Sequence, residues 1–351
     1  GKLFLIPKVV APRKFGIGLI TFPFRMLHSI YKTLTIVRNF DLVVGFGGYV
    51  SASAYLAAFV LRKPIVIHEQ NAKVGLANSL GARFAKSIAV AYPSTAKELK
   101  GAKVVGNPLR DAIVSAALNA ESDWQRARQS AKEHLQVSGP LILVIGGSSG
   151  SKAINEVISD SNFESCTVIH AVGKTNELPK GNDKYHPVAY IEDMATALLA
   201  ADLVISRSGA IACSEFAALG KYALFIPLPI GNGEQNLNAA ELVAHNRAEI
   251  REQRDFTALW LIANIERLLR QSAAAKVSGS DQDLQATSKI VALMDDMKKN
   301  SWPKDLQVTL TGDQSEMTRN MLHDLINTII IGFILVFIVL MFFMGIANAF
   351  F

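Results

Sequence analysis

The sequence predicts an α/β protein of two doubly wound, parallel-sheet domains followed by a C-terminal transmembrane helix. Three observations lead there: short apolar runs alternating with helical patterns, glycine-rich or polar words directly after those runs, and an uncharged stretch near the end of the chain. At 351 residues the chain exceeds what one core usually organises. Half of it is apolar and 19% is charged, which excludes a chain disordered throughout. Cys166 and Cys213 cannot make a disulfide scaffold, so a reducing compartment fits best. The histidines contain no HExxH-type pair, which argues against a zinc enzyme.

Residues 1–40 carry Lys2, Lys8, Arg13, Lys14, Arg25, Lys32 and Arg38, with no acid before Asp41. Phe15, Phe22, Phe24 and Tyr31 are interleaved with them. Such a surface attracts anionic lipid headgroups and can seat its rings at the interface. A solvated helix face packed on a domain accounts for it equally well. No nucleic-acid partner is expected, because no binding motif accompanies the charge. Leu3–Ile6 is too short to be a signal peptide core.

The chain then repeats one pattern. Asp41–Val44 is a strand run, followed by Gly45-Phe46-Gly47-Gly48-Tyr49 and an Ala-rich helix to Val60. Pro64–Ile67 is a second strand, leading to His68-Glu69-Gln70-Asn71 and another helix. After a polar helical stretch at 111–138, Leu141–Ile145 runs into Gly146-Gly147-Ser148-Ser149-Gly150 and a helix starting near Lys152. Asp202–Ile205 leads through Arg207-Ser208-Gly209-Ala210 to a helix around Cys213–Leu219. Continuous apolar strands alternating with helices indicate parallel sheets covered on both faces. Gln271–Gln282 reads as a loop and Leu284–Met297 as a last amphipathic helix.

Composition changes at Ser301-Trp302-Pro303, and Thr328–Phe351 contains no charged residue. A helix of 24 residues reaches about 36 Å, enough to cross a hydrocarbon core of about 30 Å. Lys298, Lys299, Lys304 and Arg319 precede it, so the positive-inside bias keeps residues 1–320 cytoplasmic.

In open parallel sheets, ligands bind beyond the carboxyl ends of the strands, where glycines let the backbone approach a phosphate and the next helix offers unpaired N–H groups. Gly146–Gly150 and Ser208–Ala212 meet that description. Tight strand-to-helix turns alone are the plainer explanation of any single loop. A dinucleotide fingerprint is not supported, since Gly45–Val50 places Val50 where the third glycine belongs.

The words GFGGYVS (45–51), IHEQNAKVGLAN (67–78), VGNPLR (105–110), IGGSSGSKAIN (145–155), YIEDM (190–194), ADLVISRSGAIACSE (201–215) and PLPIGNGEQNLNAA (227–240) occur in one order. Together they resemble the MurG family, bacterial glycosyltransferases of peptidoglycan synthesis, over residues 1–298. The resemblance implies two Rossmann-like domains of glycosyltransferase-B type: an incomplete acceptor and membrane-facing domain at 1–106 and a UDP-sugar donor domain at 107–298. It implies inverting transfer of N-acetylglucosamine from UDP-N-acetylglucosamine to a lipid-linked muramyl pentapeptide. It places the chain peripherally on the cytoplasmic face of the inner membrane, beside anionic lipids.

By position in those words, Ile191 is expected to meet the uracil and Glu215 both ribose hydroxyls. Ser148 and the amides of Ala210, Ile211 and Ala212 are expected to hold the diphosphate. Arg207 and Arg110 are expected to balance charge on the departing UDP, the electrostatic work that dominates many barriers. Asn71, Gln235 and Asn238 are expected to read the sugar, with Glu234 in a less defined role, and Gly47, Gly48 and Tyr49 fall on the acceptor side. The resemblance implies no cofactor and no metal ion, the arginines supplying the positive charge.

Two departures from the family pattern shape the expectations. A GxGGH loop bearing the favoured general base has no match here, so the catalytic base has no assigned residue and turnover is expected to be impaired. His28 and His68 follow no glycine loop and are not substitutes. The tail resembles the start of a transmembrane helix in a resistance-nodulation-division efflux permease, with a junction at 299–323 and the helix at 324–351. A fusion of two gene fragments near 294–301 is the expectation that follows. Other functional classes are a transport-permease fragment and a nucleotide-binding dehydrogenase or sensor.

Overall fold

The computed structural model describes residues 3–9, 17–147, 149–230, 232–275 and 278–301. The expected transmembrane helix at 324–351, and the junction beyond Ser301, lie outside the described residues. Among the described residues no helix is long and apolar enough to cross a membrane.

The first half contains α1 (Ile17–Val37), β1 (Val43–Gly45), α2 (Tyr49–Val60), β2 (Ile65–Glu69), α3 (Leu76–Gly81), β3 (Ser87–Val90), α4 (Pro93–Glu98) and β4 (Lys103–Val104). Its strands form one parallel sheet in the order β1-β2-β3-β4. The strand expected at Asp41–Val44 begins at Val43, because Val43 N–H is the first to reach across, to Pro64 O. Every residue of β2 is buried. The ring of Tyr55, on α2, fills the space above Gly45 and Gly81, where any Cβ would collide with it. Its hydroxyl donates to Asn78 Oδ1 at 2.7 Å, and burial pushes its pKa up to about 12. Helices α1 and α2 approach closely through Ser29 and Ser53, whose hydroxyls lie 2.9 Å apart. The opposite face of α1 exposes Ile20, Phe24, Leu27 and Tyr31, one stripe at helical spacing.

The second half contains α5 (Asp111–Ala120), α6 (Trp124–His134), β5 (Leu141–Ile145), α7 (Lys152–Ser159), β6 (Thr167–Ala171), β7 (Tyr185–Val188), α8 (Met194–Ala200), β8 (Leu203–Ser206), α9 (Ala210–Ala218), β9 (Ala223–Phe225), α10 (Glu234–Ala244), β10 (Ala248–Ile250), α11 (Ala258–Ala274) and α12 (Ala286–Ser301). Its parallel sheet has the order β10-β9-β8-β5-β6-β7. The chain therefore winds one way from β5 through β7 and the other way from β8 through β10. The crevice at that reversal opens at the carboxyl ends of β5 and β8, directly beneath Gly146–Gly150 and Arg207–Ala210. Apolar residues pack on both sheet faces, Leu143, Val204 and Phe225 on one and Ile142, Leu203 and Leu224 on the other.

Further boundaries differ from expectation: β2 runs on through His68 and Glu69, and β8 is Leu203–Ser206 where Asp202–Ile205 was expected. The loop expected from Gln271 begins later, because α11 continues through the alanines to Ala274. Helix α9 starts at Ala210, ahead of the expected Cys213, and α12 occupies Ala286–Ser301 where Leu284–Met297 was expected.

One buried group sets an acid limit on this fold. His170 is fully buried, with Nδ1 2.9 Å from the Tyr185 hydroxyl and Nε2 3.1 Å from Asn155 Oδ1. The Asn155 oxygen can only accept, so Nε2 carries the proton and Nδ1 accepts from Tyr185. Burial pulls the His170 pKa down from 6.5 to about 4. The unfolded chain takes up this proton first, so the stabilisation is complete above pH 6.5 and is lost as pH falls toward 4. The loss reaches roughly 3 kcal/mol. Urea unfolding across that range should show the decline, and His170→Gln should flatten it; an equal slope in both proteins would contradict the assignment.

Candidate active site

The site is built from the loops at the carboxyl ends of both sheets. After β5 the chain turns at Gly146–Gly150, where Gly147 and Gly150 adopt φ of +97° and +74°. Gly150 packs against the Val172 carbonyl and Gly146 against Ser151 N, leaving no room for a Cβ at either. Gly147 and Ser149 are exposed, so the loop is open to a ligand. Ser148 lies outside the described residues. Ser151 caps α7 by accepting from Ile154 N.

After β8, the first bond within α9 runs from Cys213 N–H to Gly209 O. The amides of Ala210, Ile211 and Ala212 therefore occupy the helix opening, where no acceptor exists within the helix. Gly209, the N-cap, supplies no side-chain acceptor. An exposed glycine turn and an amide-lined helix end, side by side at the sheet reversal, form a cradle for an anion.

Arg207 is the strut beneath it. Its guanidinium donates to Ile226 O at 2.8 Å, Pro227 O at 3.0 Å, Ser151 Oγ at 2.8 Å and Gln253 Oε1 at 2.6 Å. These bonds tie the end of β9 to the start of α7, so Arg207 brings charge to the cradle floor while fixing its walls.

Glu215, one turn into α9, is 6% exposed. Arg110 engages both its oxygens, Nε to Oε1 at 2.8 Å and Nη2 to Oε2 at 2.9 Å. The two expected site residues are thus brought together as a bidentate pair, with the arginine half exposed. Ile191 lies half-buried between β7 and α8, packed against the cluster containing Leu143 and Val204.

The other lip comes from the first sheet. Glu69, at the end of β2, is buried and accepts from Asn71 N, Asn71 Nδ2, Gly75 N and Asn78 Nδ2 at 2.9–3.2 Å. These bonds coil the 70–78 loop and carry Asn71 toward the second sheet. Asn238, on α10, accepts from Ala72 N at 2.8 Å and donates to Asn71 Oδ1 and Ser208 O, each at 3.2 Å. Lys73 Nζ reaches Asn232 O at 2.7 Å. Gln235 Oε1 accepts from Leu228 N, and Glu234 Oε2 accepts from Asn232 N. Gly47 and Gly48, both at φ +86°, form the turn into α2, and exposed Tyr49 lies under the Lys8 ammonium at 5.1 Å.

His68 is buried and its Nε2 lies 2.8 Å from Gly106 O, an acceptor that requires the Nε2–H tautomer. Burial lowers its pKa, so it stays neutral as a structural donor. Sequence reasoning missed the roles of Glu69, Ser151 and Gln253. Glu69 stood inside a quoted word, whereas Gln253 stood in none.

The chain matches the glycosyltransferase family 28 N-terminal domain over residues 5–90 and the family 28 C-terminal domain over residues 141–294. A Streptomyces coelicolor protein named UDP-N-acetylglucosamine--N-acetylmuramyl-(pentapeptide) pyrophosphoryl-undecaprenol N-acetylglucosamine transferase is 39% identical over 296 residues, spanning 79% of this chain and 80% of the relative. A Corynebacterium glutamicum protein of the same name is 40% identical over 287 residues, 79% of this chain and 78% of its own. The crystal structure of MurG from Acinetobacter baumannii aligns with a TM-score of 0.59 at 29% identity, covering 81% of this chain and 83% of that one. The UDP co-structure of MnaA from S. aureus shares the fold, with a TM-score of 0.53 at 15% identity over 82% of this chain and 84% of that one.

Proposed function

The chain belongs to glycosyltransferase family 28, and from that membership we infer that it transfers N-acetylglucosamine from UDP-N-acetylglucosamine to an N-acetylmuramyl-(pentapeptide) pyrophosphoryl-undecaprenol acceptor. The observation that carries the reading is 39–40% identity to transferases so named across 79% of the chain, with family matches over residues 5–90 and 141–294 that take in the loops at both lips of the cleft.

In this reading the diphosphate rests on Gly146–Gly150, Ser148 and the amides of Ala210, Ile211 and Ala212. Arg207 holds that cradle rigid and adds positive charge where the leaving group gathers negative charge. Glu215 accepts from the two ribose hydroxyls, and Arg110, displaced from it, turns to the phosphates. Ile191 borders the uracil. Gln235, Asn238 and Asn71 face the sugar, with Glu234 beside them. The acceptor's C4 hydroxyl approaches past Gly47, Gly48 and Tyr49 and attacks the anomeric carbon opposite the phosphate. The C1–O bond to UDP breaks as the new C1–O bond forms, which inverts the centre, and the hydroxyl proton passes to a base other than His68. Residues 1–106 and 107–298 divide the acceptor and donor duties.

Displacement of a fluorescent UDP derivative tests the nucleotide class. UDP-N-acetylglucosamine should displace it and NAD should not; preferential displacement by NAD would replace this reading with a dehydrogenase-type one.

The lipid-linked acceptor calls for a membrane face, and α1 supplies one. Its exposed stripe of Ile20, Phe24, Leu27 and Tyr31 is flanked by exposed Arg25, Lys32 and Arg38. Rings and aliphatic chains beside cations suit the anionic cytoplasmic face of the inner membrane. Phe24→Glu should weaken co-sedimentation with phosphatidylglycerol vesicles by about tenfold. Equal binding of both proteins would remove α1 from the membrane contact.

A further inference from the structure

We propose that Asn107 is the pivot about which the two lips of the cleft turn, with Asp283 as its clamp, making both positioning residues for the transfer. The consequence for catalysis rests on the reading above; the pivot itself rests on geometry alone.

Asn107 is fully buried. Its Nδ2 donates to Gln70 O at 3.2 Å and to Ser214 Oγ at 3.1 Å, and its backbone N–H donates to Asp283 Oδ1 at 3.0 Å. Each acceptor belongs to a different part of the fold. Gln70 adjoins Asn71 on the first-sheet lip, Ser214 adjoins Glu215 on the donor helix, and Asp283 lies on the return segment entering α12. A buried asparagine that served only its own turn would bond to near neighbours. Here the partners stand 37, 107 and 176 residues away.

The flanking backbone is shaped to the same end. Gly106 has φ +90°, and a Cβ there would overlap the Asp283 carboxylate. Its carbonyl accepts from His68, a second tie to the end of β2. Pro108 follows and holds Asn107 out of helical geometry.

The contacts at the mouth differ in kind. The Lys73–Asn232 bond is exposed, and Asn71 is half-buried, so water can replace those partners when the cleft opens. Breaking the Asn107 bonds would strand buried groups. Opening therefore proceeds by releasing the mouth and rotating about Asn107. A cavity of about 430 Å³, lined in part by Tyr92, Asn107, Ser214, Asn238 and Asp283, leaves room beside the pivot for that rotation.

The test uses the full chain with spin labels at Lys100→Cys and Glu177→Cys, exposed sites in the first and second halves, the native cysteines being buried. The interdomain distance distribution is read by pulsed paramagnetic resonance. Asn107→Ala and Asp283→Ala should each broaden it about twofold, while Asp283→Asn, which keeps an acceptor oxygen, should leave it narrow. UDP affinity, measured on the same samples, should stay within about twofold, which separates a loosened pivot from a damaged donor domain. An unchanged distribution in Asn107→Ala or Asp283→Ala, or an equally broad one in Asp283→Asn, overturns the proposal. If the unaltered protein fails to bind UDP, the donor reading fails while the distances still decide the pivot.

Discussion

Gly150→Ala is expected to cost about 3 kcal/mol of stability and to abolish UDP binding. Two effects coincide at this residue. Its φ of +74° is one that a side chain disfavours, and a Cβ would overlap the Val172 carbonyl, a backbone atom in the loop beyond β6 that cannot swing aside. Relief requires the 146–150 turn to move, and that turn is the proposed phosphate cradle. Gly147→Ala is the control. It has φ +97° with nothing within 4 Å, so it should lose only about 1 kcal/mol. Urea unfolding and UDP calorimetry on both variants check the pair. Equal effects would mean that the turn is not fixed by packing at Gly150.

Glu215→Ala is expected to weaken UDP binding by at least tenfold, on the order of two charge-assisted hydrogen bonds to the ribose. The carboxylate is 6% exposed and set on α9, so a ligand need not order it first. Its negative charge is matched by Arg110 through a bidentate pair. Arg110 is half exposed and can leave at modest cost once a diol replaces it. Arg110→Ala should accordingly change UDP affinity less than Glu215→Ala does. The reverse order, seen by calorimetry, would make the arginine the main nucleotide contact and the carboxylate its support.

Two of the six strands of the second sheet, β5 and β8, were legible in the sequence because they are continuous apolar runs leading into glycine-bearing loops. β5 has its expected bounds, β8 lies one residue later than the expected Asp202–Ile205, and the words that follow them fall at the sheet reversal. Strands β6, β7, β9 and β10 were harder to see, because their apolar runs are brief or broken by polar residues, even though the YIEDM and PLPIGNGEQNLNAA words follow β7 and β9. The site was legible as a set of residues and less so as a set of bonds. Arg110 takes Glu215, while Arg207 is held by two backbone carbonyls, Ser151 and Gln253. Such choices depend on which strand ends converge, which periodicity does not encode. Asp283 left no trace, because it stands just past a stretch that reads as a loop and its partner is 176 residues distant.

The central claim is that the amides at the start of α9 and the glycine turn after β5 grip the diphosphate of a UDP-sugar. Resonances of alanine and glycine amides, followed during titration with UDP-N-acetylglucosamine, report on it directly. Ala210, Ala212 and Gly147 should move together and saturate, and Ala89 in the core of the first sheet should stay in place. Saturable binding that leaves Ala210, Ala212 and Gly147 unmoved, or no binding to the folded chain, would contradict the account.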